Sequence, residues 1–91
     1  MPRKKHIIEK KVFKMAAGAC RICGEDNYAL LDVHRIKEGA KGGRYTRENS
    51  VTLCCSCHRR VHAGEIVLDR YYLTTVGEKL RILRDGKEEF V

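Results

Sequence analysis

Apolar positions along the chain change from helical to strand-like spacing, and this change predicts the order of the elements. Ile8, Val12 and Met15 recur at helical spacing within residues 6–17, as they would on one face of a helix. Gly18 follows directly, and glycine is the residue that most often ends a helix. The first regular element is therefore predicted to be a short N-terminal helix.

The middle of the chain carries two strand patterns separated by a long polar segment. Residues 29–36 (ALLDVHRI) and 51–54 (VTLC) are rich in β-forming residues. Residues 37–50 between them are rich in glycine and charge, and a loop of that length in a small domain usually has a function. A second helix is predicted to follow, with Ser56 as its cap and Gly64 at its end.

The last third of the chain predicts a β-meander. Residues 65–75 and 79–84 are rich in β-forming residues on either side of a turn at Val76-Gly77. Asp85-Gly86 is a strong signal for a tight hairpin before residues 87–91. The predicted fold class is therefore α+β: a small domain with an N-terminal helix, a ββα centre and a C-terminal meander.

Size and charge narrow the class of protein. A chain of 91 residues forms one small domain, and such a chain buries only about 60–65% of its unfolded surface. The net charge is +7, and residues 1–14 hold six Lys or Arg against one Glu, which fits a polyanionic partner or a solubilising surface. The charged start MPRKKHIIEKK and the lack of an apolar run of about 18 residues lead us to expect no signal peptide, a cytoplasmic location and no membrane partner.

Four cysteines form two pairs with the spacing of a metal knuckle. Cys20 and Cys23 make one C-x-x-C pair, and Cys54 and Cys57 make the other. Two such pairs fill the four positions of a tetrahedral zinc site. The odd total of five cysteines without a secretion signal argues against a disulfide framework. We predict a closed, structural Zn²⁺ site, with Cys55 either a spectator that faces the core or a substitute for Cys54 after a one-residue slip.

Three of the four histidines are predicted to converge on a second metal ion. His58 and His62 are four residues apart on the predicted helix, so they share one face. His34 lies in the first strand and reaches the same place if the two strands form a hairpin against the helix. Three neutral imidazoles with open remaining positions describe a divalent-metal site that can polarise a phosphate or a water. His6 is interpreted as an ordinary solvated or core residue.

The order of these motifs resembles the HNH endonuclease family in its zinc-stapled form. The segments CRICG, LLDVHRI, RYTRENSVTLC and CSCHRRVHAG carry the resemblance. It implies a β-hairpin followed by a helix around one metal ion, the ββα-metal motif, and cleavage of phosphodiester bonds in DNA. We therefore predict a single domain made of a basic arm and helix (1–17), the family core (18–64) and a meander packed on that core (65–91).

The resemblance also implies roles for individual residues. His34, His58 and His62 match the family's ligands for a divalent ion, for which Mg²⁺, Mn²⁺, Ni²⁺ and Zn²⁺ are candidates. Asn49 matches the asparagine that pins the long loop and so holds the hairpin in shape. Asp32 lies on the same strand face as His34, and the matching acid in the family fixes an imidazole or a nearby basic residue.

Arg35 is the position where the sequence departs from the family pattern. The family commonly has there the histidine that activates the attacking water, whereas a guanidinium stays protonated and cannot act as a general base. One account is that the metal alone activates the water. A second is a shifted assignment with Asp32 as ligand and His34 as base. A third is that cleavage has been lost and Arg35 binds a phosphate.

The predicted function is metal-dependent cleavage or nicking of DNA by a monomer or a homodimer. The DNA backbone is predicted to contact basic residues of the arm and of the long loop, namely Arg3, Lys4, Lys5, Lys41, Arg44 and Arg47. One rival is a catalytically impaired zinc module that binds DNA or RNA without cutting it. A weaker rival is a protein-binding zinc ribbon, in which three convergent histidines would have no use.

Overall fold

The computed structural model describes residues 7–91, which adopt an α+β fold. In chain order its elements are α1 (Lys10–Ala17), β1 (Leu31–Arg35), β2 (Ser50–Cys54), α2 (Cys55–His62), β3 (Ile66–Thr74), β4 (Gly77–Arg84) and β5 (Lys87–Phe90). β1 and β2 pair antiparallel, and the last three strands form a second antiparallel sheet in the order β3-β4-β5. The predicted fold class is confirmed. The predicted arm at residues 1–5 and His6 lie outside the described residues, and the three predicted ranges of the domain stay a prediction.

Helix α1 begins later than its sequence pattern predicts. The backbone amide of Ile8 donates to the carbonyl of Tyr45 at 2.8 Å, and Ile7 forms a β-bridge with Thr46. The chain there is therefore extended along the long loop. Glu9 then caps the helix, because its carboxylate accepts hydrogen bonds from two backbone amides of the first turn.

The face that α1 turns to the protein is also different from the predicted one. Val12 is 62% exposed and Met15 is 68% exposed, so the predicted apolar face points to solvent. Lys14 lies on the protein side, where its ammonium donates to the carbonyl of Leu31 at 2.9 Å and lies 3.9 Å from the centroid of the Tyr28 ring. The helix ends as predicted at Gly18, which has the left-handed φ of 70°.

One core joins the hairpin to the C-terminal sheet. Its buried apolar side chains come from both sheets and comprise Leu31, Val51, Leu53, Ile66, Leu80 and Ile82. Tyr71 adds a polar link, since its hydroxyl donates to the carbonyl of Ser50 at 2.8 Å. The meander therefore supports the hairpin that carries the candidate site.

The turns of the meander follow the sequence signals closely. Asp85 and Gly86 both have positive φ (51° and 78°), which is the requirement of the predicted tight hairpin turn. The other turn lies at residues 75–76, one residue before the predicted position, because Gly77 already pairs with Thr74. Within residues 7–91 no helix is long and apolar enough to cross a membrane.

Candidate active site

Four of the five cysteines converge at the open end of the hairpin. Cys20 and Cys23 come from the knuckle after α1, and Cys54 and Cys57 come from the junction of β2 and α2; the four sulfurs all lie within 4.8 Å of one another. Zinc–thiolate bonds of about 2.3 Å in a tetrahedron place the sulfurs about 3.8 Å apart, and the Sγ atoms of Cys23 and Cys54 are 3.5 Å apart. The four thiols are arranged to bind one metal ion.

The local sequence fixes these thiols through short backbone turns. The amide of Gly24 donates to the carbonyl of Cys20 at 3.0 Å, and Gly24 has a φ of 80°, which closes the first knuckle. In the second knuckle the Sγ atom of Cys54 accepts from the amide of Cys57 at 3.4 Å and so caps α2. The prediction that Ser56 caps this helix is therefore wrong.

Burial acts on the acidity of the clustered thiols. Burial raises the pKa of Cys20, but hydrogen bonds from neighbouring backbone groups, led by that of Cys23, outweigh it and lower the pKa to about 7. Burial raises the pKa of Cys57 above its ordinary value. Since the thiolate is the form that binds metal, binding there is coupled to proton release. Cys55 is exposed and stands outside the cluster, so neither its predicted core position nor the one-residue slip is found.

The second cluster lies on the side of the hairpin that faces α2. His34 is opposite Val51 in the hairpin register, and His58 and His62 lie one turn apart on the helix. One ring nitrogen from each histidine lies within 4.8 Å of the other two, and the Nε2 atoms of His58 and His62 are 2.9 Å apart. The structure brings together all three histidines that were predicted to bind the divalent ion.

The protonation state of the half-buried His34 suits a metal ligand. Burial, together with the charges of His58 and His62, lowers the pKa of His34 to about 4. The His34 imidazole is therefore neutral near pH 7, which is the form that coordinates metal. Three imidazoles leave the other positions of a divalent ion open, whereas four thiolates leave none. The donor set fits a divalent ion with room for an oxygen ligand.

Asn49 fastens both ends of the long loop. Its Oδ1 atom accepts from the amide of Lys37 at 2.7 Å, while its Nδ2 atom donates to the carbonyls of Lys37 and Arg44 at 3.0 and 2.9 Å. Its own carbonyl accepts from the amide of Ile36 at 2.8 Å. These are the hydrogen bonds that a loop-pinning asparagine requires.

Asn49→Ala is expected to destabilise the protein by about 1.5–4.5 kcal/mol, because it removes three side-chain hydrogen bonds worth roughly 0.5–1.5 kcal/mol each. Urea unfolding measures the loss. Asn27→Ala is the matched control, since the Asn27 side chain accepts a single hydrogen bond from a backbone amide. A loss for Asn49→Ala that is no larger than that for Asn27→Ala would contradict the pinning role.

The two other predicted residues of β1 lie outside the histidine cluster. Asp32 is exposed and does not belong to the group of metal-binding atoms. Arg35 ends the strand opposite Ser50, and its guanidinium carbon lies 4.7 Å from the centroid of the Tyr45 ring. The guanidinium is thus directed at the long loop.

The basic loop residues that were predicted to contact DNA are all exposed, and two of them line different clefts. Arg44 lines a cleft of about 600 Å³ together with Lys37 and Asn49. Arg47 lines another cleft, of about 550 Å³, beside α1 and the meander. Lys41 ends a 3-10 turn in the same loop. The other predicted contacts, Arg3, Lys4 and Lys5, lie outside the described residues.

Sequence reasoning missed Tyr45. Its ring carries two cations, the Lys10 ammonium at 4.0 Å and the Arg35 guanidinium at 4.7 Å from the centroid. A single aromatic residue between two arginines, in the run Arg44-Tyr-Thr-Arg47, is the signal that could have singled it out. Arg59 and Arg60 on α2 were also missed, and both are exposed.

Comparison with known proteins adds a family and three relatives. The HNH endonuclease family model matches residues 20–64. The chain is 33% identical to Anaredoxin of Nostoc sp. over 61 residues. This aligned segment covers 67% of this chain and 79% of Anaredoxin. No solved structure gives a significant match.

Two further relatives are much longer than this chain. The type IV methyl-directed restriction enzyme EcoKMcrA of Escherichia coli is 30% identical over 63 residues, 62% of this chain and 23% of the enzyme. A DNA mismatch repair MutS homologue of Acanthamoeba polyphaga mimivirus is 37% identical over 57 residues, 63% of this chain and 5% of that protein. The match to the family model covers both cysteine pairs and all three clustered histidines. The chain belongs to the HNH endonuclease family.

Proposed function

We propose that this protein is a metal-dependent nuclease that cleaves or nicks DNA at the histidine cluster. The observation that carries the proposal is the convergence of His34, His58 and His62 on one point beside a separate, closed four-thiol cluster. The names of two relatives, a restriction enzyme and a mismatch repair homologue, support DNA as the substrate.

The two clusters have different tasks in this proposal. The four thiols hold a structural Zn²⁺, which fastens the start of α2 to the hairpin through Cys54 and Cys57. His58 and His62 follow within the next two turns of the same helix, so the closed cluster sets their position relative to His34. A divalent ion bound by these histidines supplies Lewis-acid stabilisation of negative charge on the phosphate oxygens.

The possible mechanisms differ in which group takes the proton from the attacking water. A ring nitrogen of His34 lies within 4.8 Å of ring nitrogens of His58 and His62, whereas Asp32 is outside this histidine cluster. This supports His34 as a metal ligand over the shifted assignment. Arg35 cannot accept a proton from water. We therefore expect the wild-type protein to cleave slowly.

A plasmid-nicking assay tests the proposal. Wild type and His58→Ala, purified in parallel, are incubated with supercoiled DNA in chelator and then with Mg²⁺, Mn²⁺, Ni²⁺ or Zn²⁺ added. Wild type should nick with at least one of these ions and lose activity in chelator, and His58→Ala should be at least about a hundredfold slower, because it removes a ligand. Equal nicking by the two proteins would indicate a contaminant and contradict the proposal.

A second candidate function is nucleic-acid binding without cleavage. The observation that favours it is that Arg35 occupies the position of the family's usual base, with its guanidinium over the Tyr45 ring of the long loop. A guanidinium stays protonated and cannot activate a water. A wild type that binds DNA tightly but nicks it with none of the four ions would select this candidate.

A further inference from the structure

Arg35 is held by contacts that leave its hydrogen-bond donors unused. The side chain is half-buried, and its guanidinium carbon lies over the Tyr45 ring, 4.7 Å from the centroid. The side-chain hydrogen bonds and ion pairs found within residues 7–91 do not involve this guanidinium. An aromatic face attracts a guanidinium by its charge, which leaves the N–H donors available for an anion.

Gly39 makes room for this guanidinium. A Cβ atom at Gly39 would lie 2.8 Å from Nη1 of Arg35, and the three atoms nearest to that Cβ all belong to the guanidinium. Gly39 is not among the glycines with positive φ, so its backbone would accept alanine. A larger residue at position 39 would therefore displace the Arg35 guanidinium.

Two other arginines of the described chain, Arg21 and Arg81, use their donors to fasten the fold. Arg21 donates from Nε and Nη2 to two backbone carbonyls at 3.1 and 2.9 Å. Arg81 donates to two carboxylates at 2.6 and 3.3 Å. Arg35 contrasts with both, because it is positioned by contacts but linked to no acceptor of the described chain.

The surroundings of Arg35 favour an anion that carries phosphate. A second cation, the Lys10 ammonium, lies 4.0 Å from the centroid of the same Tyr45 ring. Arg35 directly follows His34 in β1, and successive side chains of a strand point to opposite faces, so the guanidinium lies on the loop side of the hairpin. A planar guanidinium with free donors matches two oxygens of one phosphate in a bidentate pair.

We propose that Arg35 binds a backbone phosphate of the DNA on the loop side of the hairpin, with Tyr45 and Gly39 positioning the guanidinium. The proposal rests on the proposed function, because it names the part of the substrate that this edge of the site recognises. It also gives Arg35 a task that differs from that of the histidine it replaces.

The test is DNA binding by fluorescence anisotropy over a salt series, with a short labelled duplex and no added divalent ion. Arg35→Gln should lower affinity about tenfold or more. It should also reduce the slope of log K against log salt by about 0.9, the value for one phosphate contact. Arg70→Gln is the matched control, since Arg70 stacks on Tyr72 at 4.8 Å but lies in the second sheet. It should leave the slope unchanged.

A second variant keeps the charge and moves the guanidinium. Gly39→Ala should lower affinity several-fold while leaving the salt slope near that of wild type, and the loss should vanish in the Arg35→Gln background. Circular dichroism confirms that each variant is folded. An unchanged slope for Arg35→Gln, a loss of equal size for Arg70→Gln, or a Gly39→Ala effect that persists without Arg35 would overturn the assignment. A wild type that binds no duplex would overturn the proposed function itself.

Discussion

Arg35→His is expected to raise the rate of DNA cleavage by about a hundred- to ten-thousand-fold, the usual contribution of a general base. The wild-type guanidinium cannot take a proton from the attacking water, whereas a neutral imidazole can. Initial rates of plasmid nicking at saturating divalent metal measure the gain. The gain should disappear in Arg35→His/His58→Ala, because the base has no effect without the ligand set.

The same variant separates the competing accounts of the site. If Asp32 is the ligand and His34 the base, wild type is already fast, Asp32→Ala and His34→Ala both abolish cleavage, and Arg35→His brings no gain. A fast wild type, a neutral Arg35→His and an active Asp32→Ala would instead leave activation of the water by the metal alone. Because Arg35 is also proposed to bind phosphate, Arg35→His should turn over faster while binding DNA more weakly.

Cys20→Ser is expected to leave the chain largely unfolded. Structural zinc contributes roughly 10–16 kcal/mol to folding in small zinc domains, and the total stability of a domain is only about 5–15 kcal/mol. Circular dichroism reports the fold, and metal analysis should find one zinc per wild-type chain that resists mild chelation. Cys55→Ser is the matched control, since Cys55 is exposed and outside the cluster, and it should retain both fold and zinc. A well-folded, zinc-free Cys20→Ser would show that the four-thiol site is not structural.

The clusters could be predicted from sequence because their ligands come in locally spaced sets. A C-x-x-C pair brings two thiols together whatever the rest of the chain does, and His58 and His62 share a helix face by their spacing alone. Only the convergence of the separate ligand sets on one point depended on the β1–β2 hairpin. The cap of α2 could not be predicted in the same way, since Cys54 takes the capping position that the side chain of Ser56 was expected to fill.

The orientation of α1 shows where spacing misleads. The apolar positions Val12 and Met15 follow helical spacing, yet both are exposed. Lys10 and Lys14 instead lie over the rings of Tyr45 and Tyr28, at 4.0 and 3.9 Å. Lysine stems bury apolar surface while their ammonium groups contact aromatic faces. A rule that places charged residues on the outer face of a helix cannot anticipate this packing.

The role of Arg35 depends on the path of the loop and could not be derived from spacing. The sequence indicates that the residue cannot be a base, but its contacts with Tyr45 and Gly39 depend on how residues 37–50 fold back over the strand. That path is set by the hydrogen bonds of Asn49 to Lys37 and Arg44. The contacts among Arg35, Tyr45 and Gly39 therefore depend on the loop that Asn49 fastens.

We propose that cleavage occurs at a divalent ion held by His34, His58 and His62. The most direct test titrates Mn²⁺ into chelator-treated protein that retains its zinc, and records metal bound and plasmid-nicking rate in the same samples. Wild type should gain activity in proportion to one bound ion per chain, and His62→Ala should neither bind that ion tightly nor gain activity. Nicking that is independent of bound Mn²⁺, or equal in wild type and His62→Ala, would contradict the claim.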